Sequence, residues 1–330
     1  MKAQAINQFG DPSVFETIEL PKPSIKPGHV LIRVLATSVN PVDCKLRHGN
    51  IPAITPPFPA ILHGDVAGII EEVGTNVMHF KKGDEVFGCA GGVIGSDGAL
   101  AEYMLTDASL LAKKPHSLNM MEAAALPLVA ITAWEALFEK IKLQPKQKIL
   151  IHAGTGGVGH IAIQLAKQAG ADVYATVSSD EKALIAKSLG ATDTINYHSE
   201  SVHDYVQRIT DGKGFDIVFD TVGGENINKS IDAISLYGNV VTIQANSSND
   251  LSMLHAKSGS LHVVFMLIPL IHNTQRERHG KIMKNIADLA DQGKLKPLID
   301  PQVFAFDEIG KAHALLESGK AIGKIVVVRE

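Results

Sequence analysis

The chain has 330 residues, enough for two domains and a large core. Hydrophobic residues make up 45% and charged residues 20%, which is a globular balance, and the formal charge of −4 gives no reason to expect nucleic acid or an anionic membrane as a partner. Cys44 and Cys89 lie far apart in sequence, so they suggest neither a disulfide framework nor a metal-type cluster; they fit a reducing, cytoplasmic setting.

Met1-Lys2-Ala3-Gln4 opens directly into strand-like sequence, and no signal peptide is expected. Residues 1 to about 122 read as mostly β. Apolar runs such as His29–Ala36 and Val66–Gly74 alternate with turns marked by Pro21, Pro23, Pro27, Pro56, Pro57 and Pro59. From Met120 the pattern changes, with Ala-rich helices expected at 122–125 and 131–137. Strands are then predicted at 148–152, 172–177, 193–196, 216–220, 238–243 and 261–266. Helices are predicted between them at 158–169, 180–189, 201–210 and 225–235. That alternation predicts a doubly wound parallel sheet. An amphipathic helix is expected over 275–292, and the tail ends in a strand, Ile325–Val328, expected to return to the first domain. The longest apolar run, Leu261 to Ile271, contains Pro269 and is too short to span a bilayer.

The stretch from Lys148 to Ala162 organises the rest. Gly154, Gly156 and Gly159 fit G-x-G-x-x-G between a short apolar strand and an apolar-periodic helix, the context that makes this pattern a dinucleotide fingerprint. The glycines allow a tight turn, close approach of backbone N–H groups to a pyrophosphate, and close packing of helix on strand. The helix start adds unpaired N–H groups and partial positive charge. Binders of unphosphorylated NAD usually carry Asp or Glu at the end of the next strand. Here that position holds Val177 or Ser178, followed by Ser179 and Lys182, which would attract a 2′-phosphate. NADPH is therefore expected over NADH. Asp180 and Glu181 are read as helix N-capping and dipole residues.

With these motifs in hand, the sequence resembles the medium-chain dehydrogenase/reductase superfamily, in its zinc-free NADPH:quinone oxidoreductase (zeta-crystallin-like) branch. The resemblance rests on Asn40–Asp43, Gly64–Gly74, Gly98–Tyr103, Ala123–Pro127, Thr132–Trp134 and Gly154–Gly159, and covers essentially the whole chain. It implies an α/β fold: a GroES-like, mostly-β catalytic domain over 1–122 plus 270–330, with an inserted Rossmann NADP-binding domain over 123–269. Zinc-dependent members carry a catalytic Cys, a Gly-His-Glu and a later Cys. Those slots read near Cys44, at His63-Gly64-Asp65 and at about Leu128, so no metal site is expected.

The resemblance further implies site residues. The nicotinamide end would lie near Asn40 and Thr132, and the pyrophosphate against Thr155, Gly156, Gly157 and Val158. Ser178, Ser179, Lys182 and Tyr197 would surround the 2′-phosphate. Val222, Ile243, Gln244, Phe265, Met266 and Leu267 follow the later strands, and Lys324 returns near the cofactor. Without zinc, hydride transfer suits a quinone or α,β-unsaturated carbonyl, whose negative charge is delocalised in the product. Asn40 is the candidate hydrogen-bond donor, and Asp43 a candidate to orient it, relay a proton or cap the turn. A cofactor-binding structural or regulatory protein with little turnover, and a zinc-dependent alcohol dehydrogenase, are the competing readings. A homodimer through the sixth Rossmann strand is expected.

Overall fold

The computed structural model describes residues 1–329. The chain forms two compact units, one made of residues 1–131 and the stretch from Leu267 onward, the other of residues 132–266.

The first unit begins with an antiparallel pair, β1 (Lys2–Ile6) and β2 (Phe15–Glu19), followed by β3 (His29–Ser38) and helix α1 (Pro41–His48). Four further strands follow: β4 (Asp65–Val73), β5 (Glu85–Cys89), β6 (Tyr103–Asp107) and β7 (Leu111–Lys113). Then come the helices α2 (Met120–Ala124) and α3 (Pro127–Trp134). Helix α1 interrupts the expected β pattern, yet its signals are local. Proline sits in the first turn with Asp43, the last turn is basic, and Gly49 closes the helix in the left-handed region at φ 78°. Beyond α3, π-type hydrogen bonding continues over Glu135–Lys140.

The second unit alternates throughout. Its elements are β8 (Lys148–Ile151), α4 (Gly157–Gln168), β9 (Asp172–Val177), α5 (Asp180–Ser188), β10 (Asp193–Asn196), α6 (Val202–Thr210), β11 (Phe215–Asp220), α7 (Asn226–Ala233), β12 (Ile234–Thr242), α8 (Ser252–Ala256) and β13 (Ser260–Val263). The sheet runs β10-β9-β8-β11-β12-β13 with every pairing parallel. This is the doubly wound order, reversing direction at β8. Its strands are nearly continuous apolar runs because helices cover both faces. On one face Leu150, Val218 and Val240 pack with Ile227 and Ile231 of α7 and Tyr205 of α6. Each such buried aliphatic contributes roughly 1.5–3 kcal/mol. The last strand ends at Val263, short of the expected Met266; Val264 donates one more bond to the Thr242 carbonyl, at 2.9 Å, before the chain turns.

The tail, helices α9 (Ile268–Ile271) and α10 (Glu277–Asp291), strand β14 (Phe304–Ala305), helix α11 (Ile309–Glu317) and strand β15 (Val326–Val328), belongs to the first unit. Strand β15 pairs antiparallel with the end of β3, Val326 opposite Ser38, completing a sheet of order β14-β15-β3-β4-β5-β7 with β6 also on β3. Helix α11 packs on α1. The tail therefore brings its residues to the segment just after β3.

Candidate active site

In the second unit the glycine loop is pinned from below. Ala153, at φ 49°, donates its N–H to Thr176 Oγ1 at 3.0 Å, and Gly154 donates to the Thr176 carbonyl at 2.9 Å. His152 is buried beneath the loop with Nδ1 3.2 Å from the same Thr176 hydroxyl, and burial lowers its pKa to about 4. A Cβ at Gly159 would lie 2.1 Å from the Ala153 carbonyl oxygen, and one at Gly154 would lie 2.7 Å from Ala175 Cβ. The loop is thus as close to the sheet as backbone can come. Gly156 is the N-cap of α4, so the N–H groups of Gly157 and Val158 open the helix, and Thr155 is buried just before it. These residues fit a pyrophosphate cradle.

Several of the other positions expected to meet the cofactor fall at the carboxyl ends of this sheet's strands, where open α/β sheets bind ligands. Ser178 and Ser179 follow β9, and Tyr197, 54% exposed, follows β10, with its N–H on the Val177 carbonyl at 3.3 Å. Ser179, rather than Asp180 or Glu181, caps α5, accepting from the Lys182 N–H at 3.3 Å; the two acids take first-turn positions. Beyond β11, Asp220 Oδ1 accepts from the N–H groups of Val222 and Gly223 at 2.8 and 2.9 Å, which fixes the loop and leaves Val222 48% exposed. Ile243 and Gln244 follow β12, and Phe265 and Met266 follow β13. Thr132 is buried on α3, and Leu267 is buried where the chain re-enters the first unit.

In the first unit Asn40, Asp43 and Lys324 meet in a buried polar cluster centred on Asp65. The Asp65 carboxylate accepts from Ser38 Oγ at 2.7 Å, Asn40 Nδ2 at 2.8 Å and the Leu128 N–H at 2.8 Å, with Lys324 Nζ at 3.6 Å. Lys324 also donates to the Val39 carbonyl at 3.0 Å and to Asn40 Oδ1. Both ends of the Asn40 amide are therefore engaged inside the protein. Asp43 Oδ2 accepts from the Asn40 backbone N–H at 2.8 Å, closing the start of α1. Burial, with Asp65 nearby, pushes the Asp43 carboxyl up to about 7, and burial lowers the Lys324 ammonium against the pull of both carboxylates. Asp65 was not singled out as a site residue from sequence. The clue available was its place in the matched stretch starting at Gly64.

The zinc slots can be tested for fit. Gly64 has no donor side chain, and a Cβ there would stand 2.9 Å from Cys89 Sγ and 3.0 Å from the Gly91 carbonyl oxygen. Leu128 offers its backbone N–H to Asp65. Cys44 is buried, and burial raises its thiol pKa. Among the described residues no three His, Cys, Asp or Glu side chains are grouped to hold a metal ion. This donor set does not fit a catalytic zinc.

Residues 26–116 match the alcohol dehydrogenase GroES-like domain, and residues 189–327 match a family model described as zinc-binding dehydrogenase. A 2-methylene-furan-3-one reductase of Solanum lycopersicum is 36% identical over 99% of this chain and 79% of its own length. An NADPH-dependent alkenal/one oxidoreductase, chloroplastic, of Arabidopsis thaliana is 34% identical over the same shares. The crystal structure of Escherichia coli quinone oxidoreductase complexed with NADPH superposes with a TM-score of 0.88 at 27% identity, covering 99% of this chain and 100% of that one. Fold, fingerprint and relatives agree: the chain belongs to the medium-chain dehydrogenase/reductase family, alongside proteins named for quinone and alkenal/one reduction.

Proposed function

We propose that this protein reduces a quinone or an α,β-unsaturated carbonyl with NADPH and without a metal. The observation that carries the reading is the closed ligand slot: Gly64 backed by Cys89 leaves neither a donor nor room for one. The phosphorylated carrier is supported by the loop after β9, which offers Ser178, Ser179 and Lys182 where a ribose-binding acid would stand. When bound, NADPH supplies the hydride. A conjugated acceptor spreads the charge it gains, so the chain's own task reduces to position, a fixed field and a proton. Lys324 holds a buried positive charge against Asn40. Asp43, whose carboxyl burial pushes up to about 7, is the group we assign to holding a proton for the product, since an acid tuned near the working pH transfers most effectively. Asn40 acts by fixing that charge in place.

The reading extends to a cytoplasmic homodimer. Both cysteines are free and buried, as in a reducing compartment, and among the described residues no helix is long and apolar enough to cross a membrane. Strand β13 pairs with β12 on one side, and Val263 and Phe265 are 46% and 49% exposed. The test is NADPH oxidation with a panel of quinones and enones, run in parallel with NADH and with metal analysis of the purified protein. We expect NADPH-dependent turnover that survives chelation. Tight NADPH binding with no acceptor reduced would favour a binding protein instead, and stoichiometric zinc or a preference for NADH would overturn the reading.

A further inference from the structure

A second buried chain runs beside the Asp65 cluster, and the mechanism above does not use it. Cys44 Sγ on α1 lies 3.4 Å from His313 Nδ1 on α11. His313 Nε2 lies 2.9 Å from His63 Nε2, with the two ring planes inclined by 23°. His63 Nδ1 lies 3.2 Å from Thr37 Oγ1, and Thr37 Oγ1 donates to the Asp65 backbone carbonyl at 2.6 Å. Thr37, His63 and His313 are fully buried, and Cys44 is 6% exposed.

The direction of every bond in this chain can be derived. A carbonyl only accepts, so the Thr37 proton is committed to Asp65. Thr37 Oγ1 must then accept from His63, which carries its proton on Nδ1. His63 Nε2 is left as an acceptor, so His313 donates from Nε2. His313 Nδ1 then accepts from the Cys44 thiol. Each link holds one proton, and both imidazoles are neutral. A proton added to His63 Nε2 would set N–H against the His313 N–H in a dry site, and one added to His313 Nδ1 would leave a buried imidazolium with only the weak Cys44 sulfur to accept from it. The charges facing the rings agree. Lys324 faces His63, while Arg47 and His48 face His313; Asp43 and Glu317 lie instead toward Cys44 and oppose its ionisation. Burial first, then Lys324 beside His63 and, beside His313, His63 ahead of Arg47 and His48, lower both imidazole pKa values, that of His63 to about 3.

The end of the chain decides what it does. A proton relay must finish on a group that can pass a proton on, and a peptide carbonyl cannot. The chain is therefore a lock. It also stands where backbone pairing stops: the β3–β4 ladder ends at Ala36 opposite Ala67, and the hydroxyls of Thr37 and Ser38 take over its bonds to Asp65.

We propose that His63 and His313 are positioning residues: their one-way hydrogen-bond chain from Cys44 holds Thr37, and through it the Asp65 backbone whose carboxylate orients Asn40 and Lys324. The catalytic consequence rests on the function proposed above, so the test carries a readout that needs no turnover. Histidine-selective ¹⁵N NMR should find His63 protonated on Nδ1 and His313 on Nε2, both still neutral well below the ordinary imidazole range. In Thr37→Val, which keeps shape but loses the hydroxyl, the Asn40 side-chain amide resonance should move, and kcat should fall about tenfold with KM for NADPH unchanged. Thr37→Ser should restore both. The proposal is overturned if either imidazole protonates near its ordinary pKa or carries the opposite tautomer. It is equally overturned if Thr37→Val leaves the Asn40 resonance and kcat as in the wild type. If Thr37→Val does not fold, the tautomers of the wild type still decide. Should no acceptor be reduced at all, the proposed function fails, while the resonances still judge the lock.

Discussion

Two buried residues of the first unit push stability in opposite directions with pH. The Asp43 carboxyl has its pKa raised from the usual 3.8 to about 7, chiefly by burial. A raised folded value means the native state holds its proton more tightly than the unfolded chain does. Its contribution is therefore complete below about pH 4 and is lost as pH rises through 7, by on the order of 4 kcal/mol at most. His63 does the reverse. Its folded value is lowered from 6.5 to about 3 by burial and by Lys324, so its contribution is present above pH 6.5 and is lost as pH falls. Across the acidic range the two slopes offset. Asp43→Asn removes one of them while keeping an acceptor for the Asn40 N–H. We expect the variant to gain stability relative to wild type as pH rises from about 4 to 8, by a few kcal/mol in urea melts. Equal pH profiles for the two proteins would mean that Asp43 is ionised in the native state throughout. Little of this residue-scale pattern was legible in the sequence. Asn40 and Asp43 could be picked out because the stretch from Asn40 to Asp43 matches the family pattern, although no helix was expected there. The His63–His313 contact joins residues 250 apart, and no periodicity or spacing announces it.

At the scale of elements, the second unit was legible nearly strand for strand, because a buried parallel sheet writes its strands as apolar runs and its helices as 3.6-residue periods. Strand β9 falls at 172–177 as expected, and β10 at 193–196. The misses are short elements. Helix α1 has eight residues, of which four are buried, and a single turn or two gives periodicity too little length to register. Where β12 starts, at Ile234, the helix and strand signals run together with no turn residue between Ala233 and the strand. The glycine loop is the element whose geometry is most tightly constrained. Gly159 has no special φ; its requirement is proximity, since any Cβ would lie 2.1 Å from the Ala153 carbonyl oxygen. Gly159→Ala must therefore lift α4 off the loop or unseat the loop from Thr176. We expect this single methyl to lower NADPH affinity at least about tenfold, by calorimetry, and to destabilise the protein by about 1–3 kcal/mol. Gly156→Ala is the internal control, because its Cβ would lie 3.2 Å from the same oxygen and needs a smaller shift. If the two substitutions weaken binding equally, contact with the ligand rather than helix packing sets the need for glycine.

The whole molecule raises the question of the open sheet edge. Strand β13 is four residues long and, among the described residues, pairs with β12 alone, and an edge of this kind is ordinarily protected by charge, proline or a partner. Here the residues at and just beyond it include Val263 and Phe265, both about half exposed, and the sequence Ser260-Leu261-His262-Val263 carries no lysine or proline. Pairing β13 with its own copy about a twofold axis would satisfy the edge N–H and C=O groups and bury both side chains, and the self-complementarity of such an interface favours a closed dimer over a chain of copies. A charge placed there should break the dimer without touching the fold, since Val263 is exposed in the single chain. We expect Val263→Lys to sediment as a monomer at micromolar concentration where the wild type sediments as a dimer. The variant should bind NADPH with unchanged affinity, because Val263 does not belong to the glycine loop or to the Ser178–Lys182 segment. A wild type that is already monomeric would sink the dimer. A dimer indifferent to Val263→Lys would move the interface to another surface. Loss of NADPH binding together with dimerisation would make assembly a condition for the cofactor site, which then could not be described from one chain alone.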